Sequence, residues 1–117
     1  MIDLQTELSA YRPLYPEQLT EKGYMLTEEI SNALVLYNKA LENLRNGNED
    51  IAIIELKKAL YFYPEFNEAV NLLGLCYAAT NQLERAEAMF RHVITSETNS
   101  VLALGYLENM RTGDAAV

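Results

Sequence analysis

Between Ala33 and Thr98 the chain writes one pattern of small, large apolar and polar positions twice, at an offset of 34 residues. Ala52 falls on Ala86, Leu56 on Phe90, Ala59 on Val93 and Leu60 on Ile94. Ahead of these, Leu36 falls on Val70, Ala40 on Gly74 and Leu41 on Leu75. Gly47 falls on Asn81, and these residue types tolerate a left-handed backbone best. A fixed period of this size marks a repeat architecture.

Taken in order, the same positions predict the elements. Residues 3–11 make a short helix, with Asp3 as N-cap and Leu4, Leu8 and Tyr11 on one side. Pro13 and Pro16 stop it, so irregular chain is expected from Arg12 to about Met25, with Gly23 a further breaker. Leu14, Tyr15, Leu19 and Tyr24 are too apolar for a free linker, and this segment or a second copy is expected across the first long helix.

Thr27 caps that helix, Glu28 and Glu29 suit its positive end, and Gly47 closes it after about Asn46. Its apolar residues (Ile30, Ala33, Tyr37, Ala40 and Leu44, widened by Leu34 and Leu41) require cover on two sides. A second helix over 49–62 carries Ile51, Ala52, Leu56, Ala59 and Leu60 inward and ends before Pro64.

A third helix over 67–80 turns Val70, Leu73, Gly74 and Tyr77 to the core. Asn81-Gln82-Leu83-Glu84 then has the spacing of a capping box. The fourth helix is amphipathic, with Ala86, Met89, Phe90, Val93 and Ile94 inward and Arg91 and His92 outward. Asn99 or Ser100 caps a last helix to about Arg111, closed by Gly113. Small residues let paired helices approach closely, Ala40 against Ala52 and Gly74 against Ala86. Glu108 stands where those units have Ala40 and Gly74. It and Arg111 are therefore expected on a solvated outer face, with Leu104 and Leu107 turned onto the fourth helix.

In the second unit Leu73, Gly74, Tyr77, Ala86 and Phe90 stand where the tetratricopeptide repeat signature wants them. In the first unit Ala40, Ala52, Leu56, Ala59 and Pro64 do so. Lys39, Asn43 and Thr98 depart from it. The chain thus resembles the tetratricopeptide repeat family over 33–98, and weakly on to about Met110.

The resemblance implies an all-α fold, a right-handed superhelix of antiparallel helical hairpins with two full repeats, a C-terminal capping helix and a short N-terminal helix. The corresponding division is 1–26 for an N-terminal segment packed on the repeats, 27–98 for the hairpins, 99–112 for the cap and 113–117 for a tail. In such proteins the first helix of each unit lines a concave groove that holds a partner. Carried over, the groove positions are Leu34, Tyr37, Leu41 and Leu44, then Glu68, Asn71, Leu75 and Ala78, then Leu102, Gly105 and Asn109. A subset of the family clamps a C-terminal carboxylate with Lys, Asn and Arg. Here Tyr37, Leu41 and Leu75 stand at those places, so that ligand is not expected.

Charge and chemistry narrow the reading. The 117 residues hold 17 acids against 9 bases, a net charge of −8, which argues against nucleic acid. The lone Cys76 cannot form an internal disulfide and sits mid-helix without a cationic neighbour, while the lone His92 has no convergent base or nucleophile. Glu49-Asp50 is favourable charge at a helix start, and Tyr61-Phe62-Tyr63-Pro64-Glu65-Phe66 reads as inter-repeat packing.

No phosphate loop, zinc spacing or Ca²⁺ loop is written, so no cofactor, metal or catalysis is expected. The start lacks the basic and apolar runs of a signal peptide, and no stretch is long enough to span a membrane. The expectation is a soluble, cytoplasmic segment whose end reads as a linker to more chain. The function expected is protein–protein interaction, with a peptide or partner segment in the groove. The alternative is homodimerisation within a larger protein, a membrane-anchored one included. Two repeats fall short of the three or so usually needed for stability, so end-capping or dimerisation is expected to compensate.

Overall fold

The computed structural model describes residues 2–23, 25–97 and 99–115, the last four as backbone alone. Met1, Tyr24, Thr98 and the final two residues lie outside it. Seven helices follow in order: α1 Leu4–Glu7, run on by a 3₁₀ turn at Leu8–Ala10; α2 Pro16–Glu21; α3 Glu28–Arg45; α4 Glu49–Phe62; α5 Asn67–Ala79; α6 Leu83–Ser96; and α7 Val101–Ala115. The described residues form no strand. Helices α3 and α4 pack as one pair, α5 and α6 as the next; α4 leans on α5, and α6 on α7.

The repeat is visible in individual hydrogen bonds. After α3, Gly47 takes φ +81; its N–H donates to the Leu44 carbonyl at 3.1 Å, and that of Asn48 to the Asn43 carbonyl at 2.8 Å. After α5, Asn81 takes φ +62; its N–H donates to the Ala78 carbonyl at 3.2 Å, and that of Gln82 to the Tyr77 carbonyl at 2.7 Å. Both are the paired closure of a helix end around a left-handed residue.

Because Asn81 closes α5 in that conformation, it cannot also cap α6. The expected capping box does not form, and α6 begins at Leu83 with Gln82 in the cap position. Thr27 does cap α3, its hydroxyl accepting from the Ile30 N–H at 3.2 Å. At the start of α7 the Ser100 hydroxyl, rather than Asn99, accepts from the Ala103 N–H at 3.3 Å. Asp3 precedes α1, but its carboxylate takes the Thr6 hydroxyl at 2.7 Å and no backbone N–H.

Four further expectations need correction. The stretch from Arg12 to Met25 is not irregular throughout, because Pro16 opens α2 instead of blocking a helix. At the first helical position its missing N–H costs nothing. Gln18 reaches back to the Tyr15 N–H at 2.7 Å. Ile51 does not face inward but is 52% exposed. The buried stripe of α4 is Ala52, Leu56 and Ala59, and Ile51 lies about a quarter turn to one side of it, opposite half-buried Ile53 and Leu60.

Leu104, at 46% exposed, does not seat α7. Ala103, Tyr106, Leu107 and Met110 do, a phase that sets Tyr106 against Phe90 with tilted rings and centroids 4.9 Å apart. Gly113 does not close α7, which continues to Ala115. Glu108 is exposed as expected and accepts two bonds from Arg111, each 2.8 Å.

The core is a column of small and large residues between the helix pairs. Ala40, Leu56, Gly74 and Phe90 are all buried. A Cβ placed on Gly74 would lie 2.6 Å from Cε1 of Phe90 and 3.0 Å from two more of its ring atoms. The backbone of α5 and the Phe90 ring are therefore in direct contact, which only glycine permits. From the aromatic run, Phe66 is buried and packs on Tyr37 at 4.8 Å and Tyr63 at 5.3 Å, a bridge between the units.

Candidate functional site

The groove positions fall into a covered set and an open set. Leu34, Tyr37, Leu41 and Leu44 on α3, and Asn71, Leu75 and Ala78 on α5, are all buried. Glu68, Leu102 and Gly105 are exposed, and Asn109 is half-buried. The apolar part of this face on α3 and α5 is thus closed in the free chain, while Leu102 on α7 stays open.

Its cover is the N-terminal segment, which runs antiparallel to α3. Gln5 donates to the Leu44 carbonyl at 2.8 Å near the end of α3, and Leu14 meets Asn38 a turn and a half earlier. Leu19 shares a recess with Leu34, earlier still. Leu4, Leu8 and Tyr11 are buried, the apolar side of a short amphipathic stretch.

Polar groups fix the backbone of this segment. The Asn38 side chain takes the Leu14 N–H on Oδ1 at 2.8 Å and donates from Nδ2 to the Leu14 carbonyl at 2.9 Å. One amide thereby satisfies both backbone groups of an extended residue. Arg45 donates to the Tyr11 carbonyl at 3.1 Å. The Tyr11 and Tyr106 hydroxyls meet at 3.0 Å in a buried pair that ties the segment to α7.

Asn38 and Arg45 belong to no expected site. Their signal in the sequence is a polar pair seven residues apart, flanking the apolar stripe of α3 where an all-apolar seam would do for packing alone.

Beyond the cover the face stays open as a recess of about 260 Å³, walled by Tyr11, Arg12 and Leu14 on one side and Glu68, Asn71 and Glu97 on the other. A smaller recess of about 130 Å³, reaching Lys22 and Glu65, adjoins it at Leu14, Asn67, Glu68 and Glu97. Asn71 is 5% exposed, and its Oδ1 has no hydrogen-bond partner. An unmet buried amide oxygen is uncommon in a folded protein.

Glu68 presents an exposed surface, yet its carboxyl lies among these walls and is held above the usual carboxylate range. Desolvation is the main cause and the charge of Glu97 adds to it. Burial also pushes the Tyr11, Tyr37 and Tyr106 hydroxyls up, and for Tyr11 the neighbouring Tyr106 adds to the effect. The Cys76 thiol is buried and pushed up to about 12 by desolvation, so at neutral pH it holds its proton and is no nucleophile. His92 is exposed on α6. No helix among the described residues is long and apolar enough to cross a membrane.

No curated protein and no solved structure matches the chain. A family model does, twice: the one described as tetratricopeptide repeat matches residues 33–66 and again 68–99. Its two matches coincide with the α3–α4 and α5–α6 pairs and together span more than half of the 117 residues. The chain belongs to the tetratricopeptide repeat family, and its helical hairpins make it a protein–protein interaction module.

Proposed function

We propose that the chain docks a partner polypeptide along the concave face of α3, α5 and α7, and that it does so as a binding module without turnover of its own. The observation that carries this reading is the grip on its own N-terminal segment. Asn38 holds both backbone groups of Leu14, Arg45 holds a carbonyl, and the apolar side chains sink between helices. A surface that holds an extended segment of its own chain in this manner is chemically fit to hold another's. The covered positions from Leu34 to Leu44 then belong to a partner only when the segment moves aside. Glu68, Leu102 and Asn109 are accessible without that.

The test is photo-crosslinking in cells with a photoreactive residue at Leu102, against a control at Ile54 on the outer side of α4. The reading expects a defined adduct from position 102 and none from 54. Adducts from 54 alone would move the function to the outer side.

Self-association is the second reading, and a different surface favours it. Ile51, Ile54 and Tyr61 are 52%, 56% and 83% exposed on the outward part of one helix, an unusual apolar row for solvent. Light scattering over a concentration series tests it: a dimer that Ile54→Glu dissolves supports it, and a monomer throughout removes it.

A further inference from the structure

We infer that the open recess beside the N-terminal segment is a receptor for one cationic side chain of the docked partner, arginine in preference to lysine. This rests on the docking reading above and adds the chemistry of what enters. Three acceptors without a cationic partner gather in the recess. Asn71 presents a buried amide oxygen with no partner. Glu68 and Glu97 stand at the same walls, and neither takes part in an ion pair among the described residues.

Asn67 does not neutralise the site. Its amide donates to Glu97 Oε1 at 2.8 Å and to the Ser96 hydroxyl at 3.1 Å, which orients the Glu97 carboxylate and leaves its charge in place. The chain's own cations nearby do not complete it either. Arg12 lines the wall with its Nη1 donating to the Ser9 and Tyr11 carbonyls at 2.9 and 3.3 Å, and it makes no ion pair within 4 Å among the described residues. Lys22 lines the adjoining recess and makes no ion pair within 4 Å among the described residues.

Water at the Asn71 oxygen would leave two carboxylates on the same wall without an ion-pair partner. A bare divalent ion is not favoured, since no three acidic or histidine groups converge among the described residues. A guanidinium answers all three acceptors at once, because its five N–H donors fan out in one plane and it is the more weakly hydrated cation. Desolvation raises Glu68, and the charge of Lys22, beyond ion-pair distance, opposes that only in part.

The experiment uses N-acetyl-arginine amide as the probe and N-acetyl-citrulline amide, its neutral near-isostere, as the control. Each is titrated into the full chain while the Asn71 side-chain amide and the Glu68 and Glu97 carboxyl carbons are followed by NMR. Arginine should shift all three saturably, and citrulline should bind at least tenfold more weakly. Asn71→Leu should abolish the response while melting no lower than the parent, because it removes a buried polar group that lacks a partner.

Equal binding of arginine and citrulline, no saturable shift, or a response that survives Asn71→Leu each overturns the inference. None of these touches crosslinking at position 102, so a failed cation site is distinguishable from a failed docking face.

Discussion

The two helical pairs solve one packing problem with different residues. In α3–α4 the buried small and large positions are Ala40 and Leu56; in α5–α6 they are Gly74 and Phe90. The second pair holds a larger ring, and the facing helix has given up its side chain to admit it. What the repeat preserves is the space between helices, not the residue at either position. The turns make the same point, since Gly47 and Asn81 reach one backbone conformation by different means.

The pairs differ in cover as well. From Ala69 to Ala78 every residue of α5 is buried, because neighbours lie all round it. Helix α4 stands at the outer flank, with Ile54 and Tyr61 turned to solvent.

The largest predicted effect exchanges the two solutions. Gly74→Leu should destabilise by roughly 1–3 kcal/mol or more, since overpacking must displace the Phe90 ring or part the helices. Gly74→Ala should also destabilise, by about 1 kcal/mol, although a helix interior ordinarily gains up to about 1 kcal/mol from that change. Adding Phe90→Leu to Gly74→Ala copies the first pair into the second and should recover most of the loss. Urea denaturation measures all three; a double variant no better than the single would show that the pairs do not share one spacing.

A smaller effect concerns the cover common to both pairs. Tyr11, Tyr37 and Tyr106 all hold their protons more tightly folded than unfolded. Folding then binds protons, so stability is full below the unfolded tyrosine range near 10 and falls as pH rises above it. Each tyrosine still protonated contributes a slope of about 1.4 kcal/mol per pH unit. Tyr11→Phe should flatten the decline, and an identical slope in that variant would mean Tyr11 is not among the groups responsible.

The smallest effect distinguishes the pairs by what they grip. The segment's bonds to Asn38, Leu44 and Arg45 all go to α3. Asn38→Ala should cost about 1 kcal/mol per bond at most. Hydrogen exchange should quicken at the Leu14 amide and stay as it was within α5 and α6. Faster exchange throughout would make the clamp a general prop rather than a local one.

What could be read from the sequence was whatever repeats or lies close along the chain. The α4 bounds, the Thr27 cap and both left-handed turns follow from residues within a few positions of each other. Misreadings arose where local signals compete. Asn81 suits a helix end and a helix start equally, and the preceding helix took it. Pro16 reads as a stop for the helix before it, although Gln18 two residues on marks a start. In α4, apolar residues on three sides left the phase open, and Ile51 went to the wrong one.

The covered face was only partly legible. The spare apolar side chains of the N-terminal segment announced that it must lie on something. The Asn38 clamp joins residues 24 apart and the tyrosine pair residues 95 apart, and neither contact has a local spacing to betray it.

That last separation also has a meaning in time. Tyr11 is synthesised well ahead of the last helix, and it cannot meet its partner until Tyr106 has been made. At ordinary synthesis rates of about 5–20 residues per second, the interval is roughly 5–20 s. The segment's bonds to α3 need the chain only as far as Arg45, whereas its link to α7 must close a far longer loop and so forms last. For those seconds the segment is held over the stripe from Leu34 to Leu44 by α3 without its tie to α7, and a nascent chain beside a ready partner would meet the cover at its weakest.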